Sequence, residues 1–382
     1  MVSRDEQARA AVEASAIILA AGAQERPVPF PGWTLPGVLT VGAAQILLKS
    51  AGQVPARPVW IAGSGPLPLL YAVQLLRAGG QIAGYLDTTP PGQWRSALQH
   101  LPRALGAANL LLKGLVWKAR LGSSNTPIFR GVTGIEALGE DRVEQLRFQT
   151  AVGSKTVDAE TLLVHEGVVP HLHAALAMDC NITWSTAQDC YVPVVDHCGE
   201  SSRPNMFIAG DGAGIGGAKA ASLRGELAAL RVAETLGRLS REAMEVAAHQ
   251  VRGKLNRELA IRPFLDAMFR PRPEIFAPSD ATIICRCEEV TAGAVRALAN
   301  VGRPGPSQLK TATRMGMGPC QGRQCGYTLT RILAEAQKRP PADVGFFHVR
   351  PPLKPVSIGE LACLHHGMDN STAPDPDSHL GT

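Results

Sequence analysis

Four cysteines in two tight pairs are the residues best placed to do chemistry: Cys285-x-Cys287 and, 32 residues further on, Cys320-x₄-Cys325. Four thiolates can hold a 2Fe-2S cluster, two to each iron, because soft sulfur suits iron and a Cys₄ set completes both tetrahedra. The same set can hold one zinc ion, although zinc sites more often use two C-x₂-C pairs. The second pair sits in GMGPCQGRQCG, where Gly316, Gly318, Gly322 and Gly326 would let the backbone come close and turn N–H groups toward the sulfurs. Lys310, Arg314 and Arg323 would favour the negative charge of a thiolate-ligated cluster. The remaining cysteines, Cys180, Cys190, Cys198 and Cys363, follow no pairing pattern and read as structural or incidental.

Two glycine turns offer further chemistry. Gly63-x-Gly65 follows an apolar run and opens a helical pattern, and Asp87 stands 24 residues after Gly63 at the end of the next apolar run. A dinucleotide site puts its pyrophosphate-binding amides and its ribose-binding carboxylate at such positions. Pro68 occupies the place of the third glycine, so the packing of helix on strand must differ. In Gly210-Asp211-Gly212 an aspartate at a strand-to-helix turn can accept a hydrogen bond from a ribityl hydroxyl while the helix N-terminus faces a flavin or its phosphate. His171, His173, His197, His365 and His366 lie in no motif and read as structural or surface residues. No side chain stands out as a catalytic base.

The elements that must position these residues are legible in outline. Ser15–Ala23 reads as a buried strand running into a turn at Gly22, the proline-rich stretch after it as an extended connection, and Val41–Ser50 as a short helix. Strand Pro58–Ala62, helix Leu67–Ala78 and strand Gln81–Asp87 make one βαβ unit, with Leu69, Val73 and Leu76 at helical spacing. Gln93–Arg120 reads as amphipathic helix broken near Pro102. The runs GVTGIEAL, VEQLRFQT and TVDAETLLVH read as a three-stranded meander with turns at Gly139–Asp141 and Gly153–Ser154. Asn205–Gly210 reads as a strand, Ala218–Leu236 as a long helix, and 240–270 as charged helix. Pro271–Pro278 reads as a linker into a small domain that starts near Ala281.

Composition limits the alternatives. A chain of 382 residues, 45% hydrophobic and 19% charged, can bury two or three cores, and its 39 glycines and 29 prolines are spread as in an α/β protein. A net charge of +5 gives little support to a nucleic-acid partner. Lys113 and Lys118 interrupt the apolar stretch around Leu110–Trp117, so no transmembrane segment is expected. Asp5, Glu6 and Glu13 argue against an export signal, which leaves a cytoplasmic protein as the expectation.

Together, AIILAAGAQERPVPFPGWTLPGVLTVGAAQILLK, GSGPLPLLYAVQLLRAGG, LLVHEGVVP, FIAGDGAGIGGAKAASLRGELAAL and the segment from CRCEE to KTATRMGMGPCQGRQCG resemble one bacterial family. Its members are the larger, FAD- and nucleotide-binding subunits of heteromeric dehydrogenases: the opine oxidase A subunit, the hydrogen cyanide synthase B subunit, and the alpha subunits of proline and hydroxyproline dehydrogenases. The resemblance implies a glutathione-reductase-like flavoprotein with two dinucleotide domains, followed by a small, mainly helical domain like bacterioferritin-associated ferredoxin. It divides the chain into a remnant of the FAD domain (1–50), an inserted NAD(P)- or other adenine-nucleotide-binding domain (51–165), a return to the FAD domain (166–245), a helical linker (246–280), a 2Fe-2S domain (281–345) and a tail (346–382). It places Gly22, Glu25 and Arg26 in the loop near the flavin, Gly210 and Asp211 in the flavin-binding turn, Gly63 and Gly65 at the second nucleotide site, and the four cysteines on the cluster, which favours iron over zinc. Family members open with a strand and a first G-x-G-x-x-G, and none precedes Ile17 here, so the first Rossmann unit is expected to be incomplete, by shortening or by loss. The expected function is electron transfer through FAD and the cluster. A companion FAD-dependent subunit would oxidise an amine or imino acid, a small third subunit could join them, and the electrons would pass to an acceptor. A stand-alone NAD(P)H:acceptor reductase and a non-enzymatic cluster-carrying subunit without FAD are the alternatives.

Overall fold

The structure, a computed structural model, describes residues 13–359. The expected tail beyond 360, with Cys363, His365 and His366, and most of the opening segment weighed as an export signal lie outside those residues. The chain begins with strands β1 (Ile17–Leu19), β2 (Ala23–Glu25) and β3 (Val38–Thr40), helix α1 (Val41–Ala51), β4 (Val59–Ser64), α2 (Pro66–Arg77) and β5 (Ile82–Asp87). Helices α3 (Gln93–Leu98), α4 (Leu101–Ala104) and α5 (Ala108–Gly122) follow, then β6 (Ile128–Arg130), β7 (Ile135–Leu138), β8 (Gln145–Thr150), β9 (Gly153–Asp158), β10 (Leu162–Glu166) and β11 (Val168–Pro170). The Ser15–Ala23 strand expected from sequence is therefore two strands, divided at Gly22, which has φ +66°.

A five-stranded parallel sheet in the order β3-β10-β4-β5-β6 carries the first glycine turn. All six residues of β4 are buried, with neighbours facing opposite sides. Val59 and Ile61 pack under α1 and α2 against Val41, Tyr71 and Leu75. Trp60 and Ala62 pack on the other side against Ile135, Leu146 and Phe148 of the antiparallel meander β7-β8-β9. Both faces are thus covered, as a parallel sheet requires. The last meander run needs correction: β9 starts at Gly153, where a turn was expected, and LLVHE leaves the meander to become β10. Leu162, Leu163 and Val164 are buried in succession without alternation, which suits a central parallel strand and not a half-exposed meander edge.

Helix α6 (His173–Ala177) and the hairpin β12 (Ile182–Ser185) with β13 (Cys190–Pro193) precede β14 (Met206–Ile208), which pairs in parallel with β1. The antiparallel pair β2–β11 joins the two parts of the body. Helices α7 (Ala218–Thr235), α8 (Arg241–Leu259) and α9 (Arg262–Met268) lead to the C-terminal unit: β15 (Ile283–Cys285), β16 (Val290–Thr291), α10 (Ala292–Ala299), α11 (Pro306–Thr313), α12 (Gly326–Ala336) and α13 (Pro341–Val344). Its core includes Val295, Leu309, Leu329, Leu333 and Phe347, so it reaches past the boundary expected at 345. Among the described residues no helix is long and apolar enough to cross a membrane.

Body, linker and C-terminal unit meet at one charged contact. Arg26, 3% exposed, donates from Nη1 to the Asp189 carbonyl at 2.9 Å and from Nη2 to the Gln188 carbonyl at 2.8 Å. Arg331 of α12 donates to Asp189 Oδ1 at 3.0 Å, and both guanidiniums lie over the Phe276 ring, 5.6 and 4.3 Å from its centroid. Asp189 thus holds both cations, Arg26 by its backbone carbonyl and Arg331 by its carboxylate. Breaking a buried pair by removing one partner leaves an uncompensated charge. Asp189→Asn keeps the side-chain shape and tolerates the φ of +51°, yet it should cost about 1–2 kcal/mol, since Arg331 is partly exposed. Urea unfolding of the two proteins measures this; equal midpoints at equal slope would show that the carboxylate is not what holds the contact.

Candidate functional site

The cysteines arrive from two loops of the C-terminal unit. Strand β15 delivers Cys285, and Cys287 lies two residues on in the turn to β16. Cys320 lies in the loop between α11 and α12, and Cys325 is the residue that caps α12. The thiols meet across the loops, Cys285 hydrogen-bonded to Cys325 and Cys287 to Cys320. The bond from the Cys325 thiol holds Cys285 down to about 6, helped by backbone N–H groups of Gly316, Glu288 and Cys287 and opposed by burial. The same bond pushes Cys325 well up. The backbone N–H of Cys320 donates to Cys287. Cys285 and Cys325 are buried, Cys320 is partly so, and Cys287 is exposed.

Among the described residues no group of three or more His, Cys, Asp or Glu is arranged to hold a single metal ion. Two thiol pairs with amides aimed at the sulfurs fit a dinuclear cluster, which takes two thiolates per iron, better than one tetrahedral zinc. The glycines serve mainly a different purpose from the one expected. A Cβ on Gly316 or Gly322, both at positive φ, would fall 2.7 and 2.5 Å from the Phe347 ring, and one on Gly326 2.4 Å from Phe346. Gly318 alone makes room directly for one of the cysteines, since its Cβ would sit 2.3 Å from that of Cys287. Of the three nearby cations, Arg314 is paired with Glu288 at 3.0 Å and Lys310 lies over Phe347. Arg323 is the one tied to a cysteine, donating from Nη1 to the Cys320 carbonyl at 3.2 Å.

Arg323 also ties this loop to the body. Its carbonyl accepts from Gln24 Nε2 at 2.9 Å, and its Nε donates to His171 Nε2 at 3.2 Å. The backbone N–H of His171 donates to the Gly22 carbonyl at 3.0 Å. His173 donates from Nε2 to the Gln321 carbonyl at 2.9 Å, and burial pushes its imidazole down to about 4, which keeps it neutral. The structure thus brings Gly22 and the cysteine loop together through His171 and His173, two histidines that sequence marked only as structural or surface residues.

The GDG turn closes on Gly22 as well. A Cβ on Gly212 would lie 3.5 Å from the Gly22 carbonyl, while Gly22 itself faces open space. Gly210 has φ +69°, and Asp211 Oδ1 accepts the amides of Gly216 and Gly217 at 2.8 and 3.0 Å, so this oxygen shapes the turn before α7. Arg224 of α7 braces the turn from below by donating to the Gly210 and Gly214 carbonyls. Glu25 and Arg26 are engaged with protein partners: Glu25 Oε2 accepts the Gly42 amide at 2.9 Å, and Oε1 accepts from His165 Nδ1 at 2.7 Å.

At the other turn, Gly63 lies opposite His165 and Asp87 in register, and a Cβ on it would fall 2.0 Å from the His165 carbonyl. Gly65, at φ +102°, caps α2 with open space beside it. Asp87 Oδ1 accepts the Thr89 amide at 3.0 Å. Beneath the turn Glu166, 3% exposed, pairs with Arg272 at 2.8 Å. His165, Glu166, Arg224 and Arg272 carry no sequence signal, because their partners lie 10 to 140 residues away in the chain.

The profile of the family described as "Sarcosine oxidase A3 domain" matches residues 281–365, the span that holds all four cysteines. The chain is 34% identical to hydrogen cyanide synthase subunit HcnB of Pseudomonas protegens, over 89% of its own length and 73% of that protein. Its fold is similar to that of L-proline dehydrogenase from P. horikoshii, with a TM-score of 0.67 at 18% identity, covering 91% of this chain and 58% of that one. It is 43% identical over 374 residues to the opine oxidase A subunit of Rhizobium meliloti, 96% of this chain and 70% of that protein. On that identity and coverage, the chain belongs to the family of the opine oxidase A subunit.

Proposed function

We propose that this chain is the electron-transferring subunit of a heteromeric enzyme that oxidises amines or imino acids, with FAD at the Gly22 and Gly210–Asp211 turns and a 2Fe-2S cluster on Cys285, Cys287, Cys320 and Cys325. The observation that carries the reading is the direct hydrogen bonding between the two places: Gln24 to the Arg323 carbonyl, and Gly22 through His171 to the Arg323 side chain, three residues from Cys320. A flavin accepts two electrons and a 2Fe-2S cluster one, so the two in series convert hydride chemistry to single-electron transfer. The chain's own part is to hold the two loops in register, to aim backbone N–H groups at the cysteine sulfurs, and to leave Cys287 at the surface as an exit toward an acceptor. The Gly63–Gly65 turn is read as a site for NAD(P) or another adenine nucleotide, with Asp87 toward its ribose. A companion flavin subunit supplies the substrate chemistry, consistent with the absence of a recognisable base here.

Anaerobic purification followed by a visible spectrum and by iron, sulfide and flavin analysis tests the whole reading. Cys320→Ser should remove most of the iron and acid-labile sulfide while leaving the flavin content as it was; full iron and sulfide in that variant would sink the ligand assignment. Asp211→Ala should do the reverse. Loss of the oxygen that gathers the Gly216 and Gly217 amides should lower flavin retention by about tenfold, the worth of one charge-assisted hydrogen bond, and leave iron unchanged. Undiminished flavin in Asp211→Ala would place the flavin elsewhere.

A further inference from the structure

Helix α5 has two apolar faces, and the fold uses one. Leu110 and Leu111 pack toward Ile261 and Phe264, Trp117 packs on the α1–α2 core, and Leu121 is 2% exposed. On the opposite face Leu112, Leu115 and Val116 are 60, 63 and 48% exposed, and Ala108 and Ala119 beside them are exposed too. At ~100° per residue these five side chains fill a single arc of the helix. Leu105, 59% exposed, extends the stripe one step before the helix begins. An apolar stripe of this length left on the surface marks a site where something docks.

The charges around the stripe identify its cover. Between Asp87 and Glu136 the chain has no acidic residue, while it has six Lys or Arg. By the same ~100° step, Lys113 and Arg120 flank the arc on one side and Lys118 on the other, all three exposed. Lysine is depleted from the cores of protein–protein interfaces. Beside an exposed apolar arc, flanking lysines and arginines are the arrangement of a helix lying in a lipid interface, with stems running along the acyl boundary and charges at the headgroups. We infer that α5 docks this chain peripherally on an anionic lipid surface, with Leu112, Leu115 and Val116 inserted and Lys113, Lys118 and Arg120 on the headgroups. Nothing in this inference depends on the cofactors.

Sedimentation of the purified full chain with vesicles tests it, using phosphatidylcholine containing about one-third phosphatidylglycerol against phosphatidylcholine alone. The chain should pellet with the anionic vesicles, remain in solution with the neutral ones, and be released by high salt. Leu112→Ser with Leu115→Ser should weaken vesicle binding by at least about tenfold, with an unchanged thermal transition because both side chains already face water. Lys113→Glu with Lys118→Glu should abolish binding and leave the stripe intact. Failure of the wild-type chain to bind anionic vesicles, or equal binding by the leucine variant, would overturn the inference. So would loss of association with a companion subunit in the leucine variant without any vesicle binding by the wild type, since that assigns the stripe to a protein interface.

Discussion

Asp189 sits between two guanidiniums that share one aromatic ring, and most of the architecture converges on that contact. Arg26 comes from the end of β2, Asp189 from the β12–β13 turn, Phe276 from the linker and Arg331 from α12. Four segments remote in sequence are fixed by charges that none of them could bury alone, because a desolvated guanidinium is tolerable only with a carboxylate or carbonyls facing it. The Gly22 turn lies a few residues before Arg26, and the loop that holds Cys320 ends at α12, the helix that carries Arg331. Fixing Arg26 against Arg331 therefore also fixes how Gln24 and Gly22 meet Arg323 and Cys320. The distance between the two candidate redox centres is set by a contact that belongs to neither.

A second buried pair does the corresponding work on the parallel sheet. Glu166 ends β10 level with Ser64, and Arg272 reaches it from the linker while donating to the Thr133 carbonyl at the start of the meander. The linker is thus held at both of its faces, by Arg272 to the parallel sheet and by Phe276 to the junction. Between these two contacts Pro273 opens a single 3-10 turn that ends at Phe276.

Sequence patterns carried the local units well and the contacts between them poorly. The βαβ unit around Gly63 was legible because its apolar spacing and its glycines are local signals, and the C-terminal unit because its cysteines are. The split of TVDAETLLVH was not, since three successive apolar residues do not say whether a strand ends a meander or enters a parallel sheet; only the covering of both faces decides that. The glycines of GMGPCQGRQCG were legible as close-approach positions, but the approaching group was not, because Phe346 and Phe347 lie 20 to 31 residues downstream of them in a stretch that read as the beginning of a tail. Arg272, Arg331 and His171 were invisible for the same reason: a long-range ion pair or hydrogen bond leaves no period in the sequence.

The aromatic backing of the cysteine loop bears on how a cluster would be held. Gly316 and Gly322 lie against Phe347, and Gly326 against Phe346, whose ring also touches Tyr191, Tyr327 and His173. The backbone that presents Cys320 and Cys325 is therefore shaped by ordinary core packing, and the N–H groups facing Cys285 are already aimed before any metal arrives. In small metal-dependent domains the ion organises the chain, because there is too little apolar surface to do so. Here a buried core of Val295, Leu309, Leu329, Leu333 and Phe347 does that work. The thiol pairs are thus held in place by the packing of the unit itself, an arrangement that would suit tuning a bound centre rather than folding around one.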